Sequence, residues 1–402
     1  MCAFLNRGVS PKYIETGGIV VLNQRCIRDH RVSFDVARRH DITAKAVNND
    51  RLLRSGDVLV NSTGTGTLGR VAQLRATPTE PTTVDSHITI VRPNPGLFFQ
   101  EFFGYMLQDV EDALKQSGEG CGGQTELGRA VLAEKFSVRF PKSISEQQQI
   151  VAILDEAFAG IATAKANAER NLQNARGIFE SQLERVFSQR GPGWLEKSLK
   201  EVCEKITDGT HQTPKYFDEG IVFLSSRNVT SGTVDWDRIK YIDMKQHLEM
   251  HKRVAPRRDD ILLAKNGTTG VAAIVDRDTT FDIYVSLALL RALPVMRPRF
   301  LLHFINSPAA KVQFSKRLKG IGVPNLHLEE IREVRLAFPE ETREQERVVA
   351  ELDRLRAETL RLAGIYERKL AALDALKKSL LHRAFAGELT AENTTKLVEA
   401  VA

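Results

Sequence analysis

FPKSISEQQQIVAILD, residues 140–155, returns as FPEETREQERVVAELD, residues 338–353, and that return organises the whole 402-residue chain. At an offset of 198, positions 140–187 and 338–385 share 16 identities in 48 ungapped positions. They include Phe140-Pro141, Glu146-Gln147, Val151-Ala152, Leu154-Asp155 and Glu169-Arg170 with their second copies. Self-similarity of this kind marks an internal repeat.

Upstream of each conserved copy the repeat is looser. Pro11-Lys12-Tyr13 matches Pro214-Lys215-Tyr216, and Gly18 to Gln24 matches Gly220 to Ser226. Arg54 to Val60 matches Arg257 to Leu263, each followed by a Gly/Thr-rich turn. Each half is therefore a variable module of about 140 residues followed by a more conserved segment of about 50.

The conserved segments read as long helices over 144–189 and 342–386. They contain no proline and are dominated by Ala, Leu, Glu, Arg and Gln. Leu352, Leu355, Thr359, Leu362, Tyr366, Lys369, Leu373, Leu376 and Leu380 follow the 3-4 spacing of a coiled-coil seam. The equivalent row in the first segment is Leu154, Ala157, Ile161, Ala164, Ala168, Asn171, Ala175, Ile178 and Gln182. A small seam against a large one packs without voids. The expected helix-pairing residues are Leu154, Ile161, Ile178, Leu352, Leu355, Leu362, Leu373 and Leu376, in an antiparallel pair.

The modules show short β-branched runs at Gly18–Leu22, Asp57–Val60, His87–Val91, Ile221–Leu224, Asp260–Ala264 and Ser286–Leu290. Short helices are expected near Phe98–Gln116 and Arg299–Arg317. The fold class is α+β: two similar mixed α/β modules separated by two long antiparallel coiled-coil helices, with pseudo-two-fold internal symmetry. The expected division is 1–141, 142–190, 194–339 and 340–390, with a tail at 391–402. Gly191-Pro-Gly193 is the linker signal.

Composition narrows the function. Apolar residues make up 42% and charged residues 27%, a globular balance. There is no run of 18 apolar residues and no secretory leader pattern, so a cytoplasmic, non-membrane protein is expected. Cys2, Cys26, Cys121 and Cys203 are too scattered for a disulfide framework or a zinc site. The net charge of +6 is concentrated in the modules, +2 over 1–140 and +5 over 194–338, against 0 over 141–193 and −1 over 339–402. Two basic modules between neutral spacers suit a polyanionic partner.

Catalytic signatures are sparse. Gly64-Thr-Gly66-Thr-Leu-Gly69 fits a dinucleotide pattern, but Arg70–Arg75 reads as another strand where that motif needs a helix. There is no P-loop, no Asn-Pro-Pro-aromatic methyltransferase signature and no histidine pair at zinc-ligand spacing. A non-catalytic chain with no cofactor of its own is expected. Basic, amide and hydroxyl side chains gather near the start of each module, where Arg suits guanine, Asn and Gln suit adenine, and Ser, Thr and Lys suit phosphate. Candidate DNA-binding residues are Arg7, Ser10, Lys12, Tyr13, Gln24, Arg25, Arg28 and Thr65 in the first module. In the second they are Thr210, His211, Thr213, Lys215, Arg227, Asn228, Lys265 and Asn266.

These residues carry a resemblance. Arg7 to Tyr13, Val21 to Arg28, Asp208-Gly-Thr-His211, Phe223 to Asn228, Ile261 to Gly267, both Phe-Pro…Glu-Gln ends and Ser379 to Thr390 are similar to the specificity subunits of type I restriction–modification systems. The resemblance covers nearly the whole chain. It implies two target recognition domains, each reading half of a bipartite, asymmetric site in double-stranded DNA. The long helices would act as a spacer, at about 1.5 Å per residue. Two modification subunits holding S-adenosylmethionine would dock on the chain and methylate flipped adenine. Two restriction subunits using ATP and Mg would complete the complex. Alternative readings are a protein-only coiled-coil scaffold and a nucleotide-binding enzyme using the Gly64–Gly69 loop.

One departure is visible. With Gly8 aligned to Gly209, Met1 stands opposite Val202, so the opening Trp194–Val202 has no counterpart in the first module. The expectation is that the first module lacks its opening strand, through a start placed too late or a truncation.

Overall fold

The computed structural model describes residues 1–118, 125–188, 191–318 and 325–389. Cys121 and the tail 391–402 lie outside them. The chain forms two compact units, Met1–Ala168 with Arg368–Ala402, and Glu169–Glu367. Their boundaries fall inside the two long helices, Ile144–Ser188 and Thr342–Phe385.

The first unit is built on an antiparallel sheet ordered Cys2–Arg7, Ile88–Pro93, Val58–Asn61, Val71–Gln73. Its register sets Leu5 opposite Val91, Ile90 opposite Leu59 and Leu59 opposite Ala72. Successive side chains alternate between faces, and both faces are covered. Val58, Val60 and Val91 point into a cluster with Phe102, Phe103 and Met106, whereas Leu59, Ile88 and Ile90 pack with Leu22 and Ile27. A second sheet, ordered Tyr13–Ile14, Arg38–His40, Ile19–Leu22, Thr82–Val84, supplies that other layer. Its last pair is parallel, with Val21 opposite Thr83.

The second unit repeats the plan. Cys203–Asp208, Leu287–Ala292, Ile261–Ala264 and Ala272–Ile274 form the antiparallel sheet. Lys240–Ile242, Ile221–Leu224 and Phe281–Ile283 form the other, again with a parallel pair, Phe223 opposite Asp282. Ile261 and Leu263 face one core; Leu262 and Ala264 face the other. This two-sided burial explains why the strand runs are continuously apolar.

The repeated motifs have structural roles. Asp57 takes two 2.7 Å hydrogen bonds from Arg92, and Asp260 takes the same pair from Arg291. Each carboxylate also accepts from the backbone N–H of Arg54 or Arg257, three residues earlier. Gln147 and Gln345 are both fully buried clamps. Gln345 accepts from the Arg297 N–H at 2.8 Å and donates to the Val295 and Pro339 carbonyls, both at 2.9 Å. Gln147 does the same with Phe99, Leu97 and Pro141.

Within each unit the long helices pair antiparallel. In the first, Leu154 and Ile161 pack in one cluster with Leu380, Leu381 and Phe385, Leu373 and Leu376 lie against it, and Lys165 reaches Asp374 at 2.6 Å. In the second, Leu183 and Phe187 share a cluster with Val349 and Leu352, and Arg176 reaches Glu367 at 2.8 Å. Leu355 and Leu362 are half-buried. Ile178 departs from the expectation, being 48% exposed. After Ala175 the buried row moves to Phe179, Leu183 and Phe187, because the last turns leave the first module and cover the second module's core around Phe300 and Phe304.

The departure at the start of the chain has a structural echo. In the second unit Trp194–Ser198 pairs antiparallel with Arg335–Pro339, setting Leu195 opposite Phe338. Residues 136–141, the counterpart of 334–339, carry no strand pairing. Val334, Leu336 and Phe338 are buried at 0, 1 and 0% exposure, whereas Phe136, Val138 and Phe140 are only half-buried.

Candidate nucleic-acid interface

The Gly64–Gly69 loop leads from strand Val58–Asn61 into strand Val71–Gln73. A strand and not a helix follows the glycines, whose φ values of 99°, 80° and 77° mark a turn. Gln24 donates to the Thr63 carbonyl and, at 2.7 Å, to the Thr63 hydroxyl, which also meets His87 Nδ1 at 2.7 Å. This ties the loop to the turn Gln24–Cys26, bringing exposed Arg25 and Thr65 onto joined segments.

Around the other first-module candidates, Tyr13 is 40% exposed and lies under Arg38, whose guanidinium carbon is 3.4 Å from the ring centroid. Ser10 and Lys12 are exposed beside it, and the Ser10 carbonyl accepts from Lys45 at 3.1 Å. Arg28 is exposed on the hairpin joining Ile27–Arg28 to Arg31–Val32, whose turn residues Asp29 and His30 have φ of 52° and 58°. Arg7 is engaged internally, with Glu126 at 2.7 Å and the Leu127 carbonyl at 3.1 Å.

In the second module the loop after Cys203–Asp208 presents His211, Thr213, Lys215, Tyr216 and Phe217 to solvent, with Thr210 half-buried at its root. Two cations frame the rings: Lys240 Nζ is 3.9 Å from the Tyr216 centroid and Lys215 Nζ 5.5 Å from that of Phe217. Arg227 is exposed on the turn Ser226–Asn228. Exposed rings beside cations are a surface on which bases and phosphates can rest.

The root of this loop is a charge cluster. Asp208, 2% exposed, accepts from Lys265 Nζ and Arg253 Nη2, both at 2.7 Å, and meets His211 Nε2 at 3.3 Å. Burial pushes its carboxyl up, but the two cations and the histidine outweigh burial and hold it below the ordinary carboxylate range. Helix Met244–Arg253 supports the same loop, since Gln246 hydrogen-bonds the Lys215 backbone at both N–H (2.8 Å) and carbonyl (3.0 Å).

In the second module three candidates from sequence turn inward. Lys265 is buried in the pair with Asp208. Asn228 accepts from the Ser225 N–H at 2.9 Å and donates to the Asp235 and Arg238 carbonyls, which fixes a turn. Asn266 is half-buried, bridges to Asn325 through the backbone and has its side-chain oxygen buried. Spacing alone does not separate an amide facing a base from one closing a turn. Lys240 and Arg253 were absent from the candidates, because they lie far along the chain from the loop they reach.

Residues 192–367 match the family model described as type I restriction modification DNA specificity domain. The EcoBI specificity subunit of type I restriction enzyme from Escherichia coli is 27% identical over 205 residues, 50% of this chain and 42% of that protein. The EcoKI specificity subunit from Escherichia coli K12 is 21% identical over 320 residues, 75% of this chain and 68% of that protein. This chain thus matches under half the length of the first of these relatives. Among solved structures, a chain from a study of complex assembly and conformational transition of the type I R-M system aligns at TM-score 0.75 and 17% identity, covering 96% of each chain. The HsdS subunit from Thermoanaerobacter tengcongensis aligns at TM-score 0.55 and 18% identity, covering 96% of this chain and 95% of that one. At these identities the structural likeness concerns the fold. Among the described residues, no helix is long and apolar enough to cross a membrane.

Proposed function

We propose that the chain is a member of the type I restriction modification DNA specificity family, whose model residues 192–367 match, and that it is a DNA-reading subunit with two readers, one in each half. The observation that carries this is the repeated scaffold with unlike loops. The two units share central strand order, buried clamps and a tyrosine–cation pair (Tyr13 with Arg38, Tyr216 with Lys240), but the first carries the hairpin joining Ile27–Arg28 to Arg31–Val32 and the second the helix Met244–Arg253. Two non-identical readers in one polypeptide suit a bipartite, non-palindromic target, which a symmetric homodimer cannot read.

In this reading the exposed cations hold the phosphate backbone and the loop amides, hydroxyls and rings contact base edges. The chain is an adaptor. Methyl transfer and cleavage belong to modification and restriction subunits, which bring S-adenosylmethionine, ATP and Mg. The chain's own contribution is to place those subunits at a chosen sequence.

Duplex binding measured against salt tests the reading. Each lost phosphate contact lowers the slope of log affinity against log salt by about 0.9. Lys215→Ala and Arg227→Ala are each expected to lower it by about that amount. Affinity that does not change with salt in the native chain would favour the protein-only scaffold.

A further inference from the structure

We propose that His247, His251 and Asp282 form a binding site for a divalent transition-metal ion in the second unit. His247 and His251 stand four residues apart on helix Met244–Arg253 and so share one face. That face lies on strand Phe281–Ile283, where Asp282 is 1% exposed. His247 Nδ1 is 2.7 Å from Asp282 Oδ2, and His251 Nδ1 is 3.2 Å from Asp282 Oδ1. One ligand atom from each residue can be chosen so that all lie within 4.8 Å of one another.

A carboxylate shut away from water requires a cation. Among the described residues, the only ion-pair partners of Asp282 are these two histidines. Hydrogen bonds alone do not balance that charge, whereas a cation held between the three side chains does. Both Nδ1 atoms face the carboxylate, as metal ligands would. Metal bonds of about 2.0–2.1 Å at tetrahedral angles hold neighbouring ligand atoms about 3.3 Å apart. The two separations run to different carboxylate oxygens, so binding requires the Asp282 carboxylate to turn one oxygen toward both rings or to bind through both, and the His247 ring to draw back by about half an ångström. His251 is a third exposed, which gives an entry path and a place for a water ligand.

Two imidazoles and one carboxylate select Zn²⁺, Co²⁺ or Ni²⁺ over the harder Mg²⁺ or Ca²⁺. The fold itself does not demand the cluster. In the first unit the register position of Asp282 is held by Thr83, whose hydroxyl donates to the Arg51 carbonyl at 2.8 Å. Among the described residues the cluster occurs in the second unit alone.

Its consequence rests on the DNA-reading proposal. The helix that carries both histidines also carries Gln246, which holds the Lys215 backbone, and Arg253, which holds Asp208. A metal that fastens this helix to Phe281–Ile283 stiffens the loop presenting Lys215 and Tyr216.

The full chain, stripped with chelator, is titrated with Co²⁺ and separately with Zn²⁺, followed by desalting and metal analysis. About one equivalent per chain is expected, with the visible absorption of Co²⁺ in a nitrogen–oxygen site. His251→Gln, at the most exposed ligand, is expected to weaken binding at least tenfold while the fold survives, as judged by circular dichroism. Retention well below one equivalent by the native chain, or unchanged retention in both His251→Gln and Asp282→Asn, overturns the site. Duplex affinity of loaded and stripped chain is read separately. Metal binding with no DNA binding leaves the site standing and sinks the DNA-reading proposal. DNA binding without metal retention does the reverse.

Discussion

Asp208→Asn removes the one carboxylate at the root of the exposed loop in the second unit. Its two cationic partners respond differently. Lys265 has a side chain only 7% exposed and lies 2.7 Å from Asp208, so the variant strands an ammonium group in the interior. Breaking a buried pair in this way costs about 3–5 kcal/mol. Arg253 is 52% exposed and returns to water at little cost. In a unit the size of Glu169–Glu367, each kcal/mol moves the midpoint by about 2–4 °C, so a fall of roughly 6–20 °C is expected. The paired variant Asp208→Asn with Lys265→Met removes both charges and should recover all but about 1 kcal/mol. The acid side has a definite sign. The Asp208 carboxyl is lowered in the folded chain, so its stabilisation is present above its ordinary value and fades as pH falls. The gap between native and single variant should therefore shrink below about pH 4. Thermal melts of the three chains from pH 7 to pH 3 give the answer. A single variant losing less than 1 kcal/mol, or a double variant falling as far as the single, would refute the buried-pair account.

Three further expectations follow from the same contacts. Gln345→Leu leaves the Arg297 N–H and the Val295 and Pro339 carbonyls without their partner in the interior, and should cost about 2–4 kcal/mol in denaturant unfolding; a neutral result would mean those groups find other partners. His303 and Arg299 outweigh burial and hold Asp353 at about 2, so its contribution is complete above pH 4 and is lost toward pH 2. Asp353→Asn should flatten the melting profile in that window, and an unchanged profile would rule the pair out as its source. Fusing a second copy of Trp194–Glu201 ahead of Met1 should raise the melting temperature by covering Phe136, Val138 and Phe140. The junction is geometrically apt, because the Met1 carbonyl accepts from the Asn94 N–H at 2.9 Å just as the Val202 carbonyl accepts from Leu293. No rise would show that these side chains are already satisfied.

Much of the architecture could be read from the residues because apolar pattern and repeat point the same way. The long helices begin at Ile144 and Thr342 and end at Ser188 and Phe385, within a residue or two of expectation. The strand runs were recognisable because burial on both faces leaves them without polar interruptions. The shift of the seam after Ala175 was hidden: a helix that changes partner keeps its apolar content and alters only its phase. The candidate site was less legible. Exposure separates Lys215 and Tyr216 from Asn228 and Lys265, and no local pattern encodes exposure in a loop. Asp208 reads as one more polar residue until Lys265, 57 positions later, is seen beside it. His247 and His251 stand at the i, i+4 spacing that helical zinc ligands use, so the expectation of no such histidine pair was wrong, and the carboxylate that completes them comes from a strand 35 residues from His247.

The most direct measurement of the central claim is selection of bound duplexes from a random library by the purified chain at moderate salt, followed by sequencing. The account predicts an enriched motif of two unlike blocks separated by an unread spacer. Replacing residues of the loop at 210–217 should change one block and leave the other. A pool with no enriched sequence, or one with a single palindromic block, would contradict it.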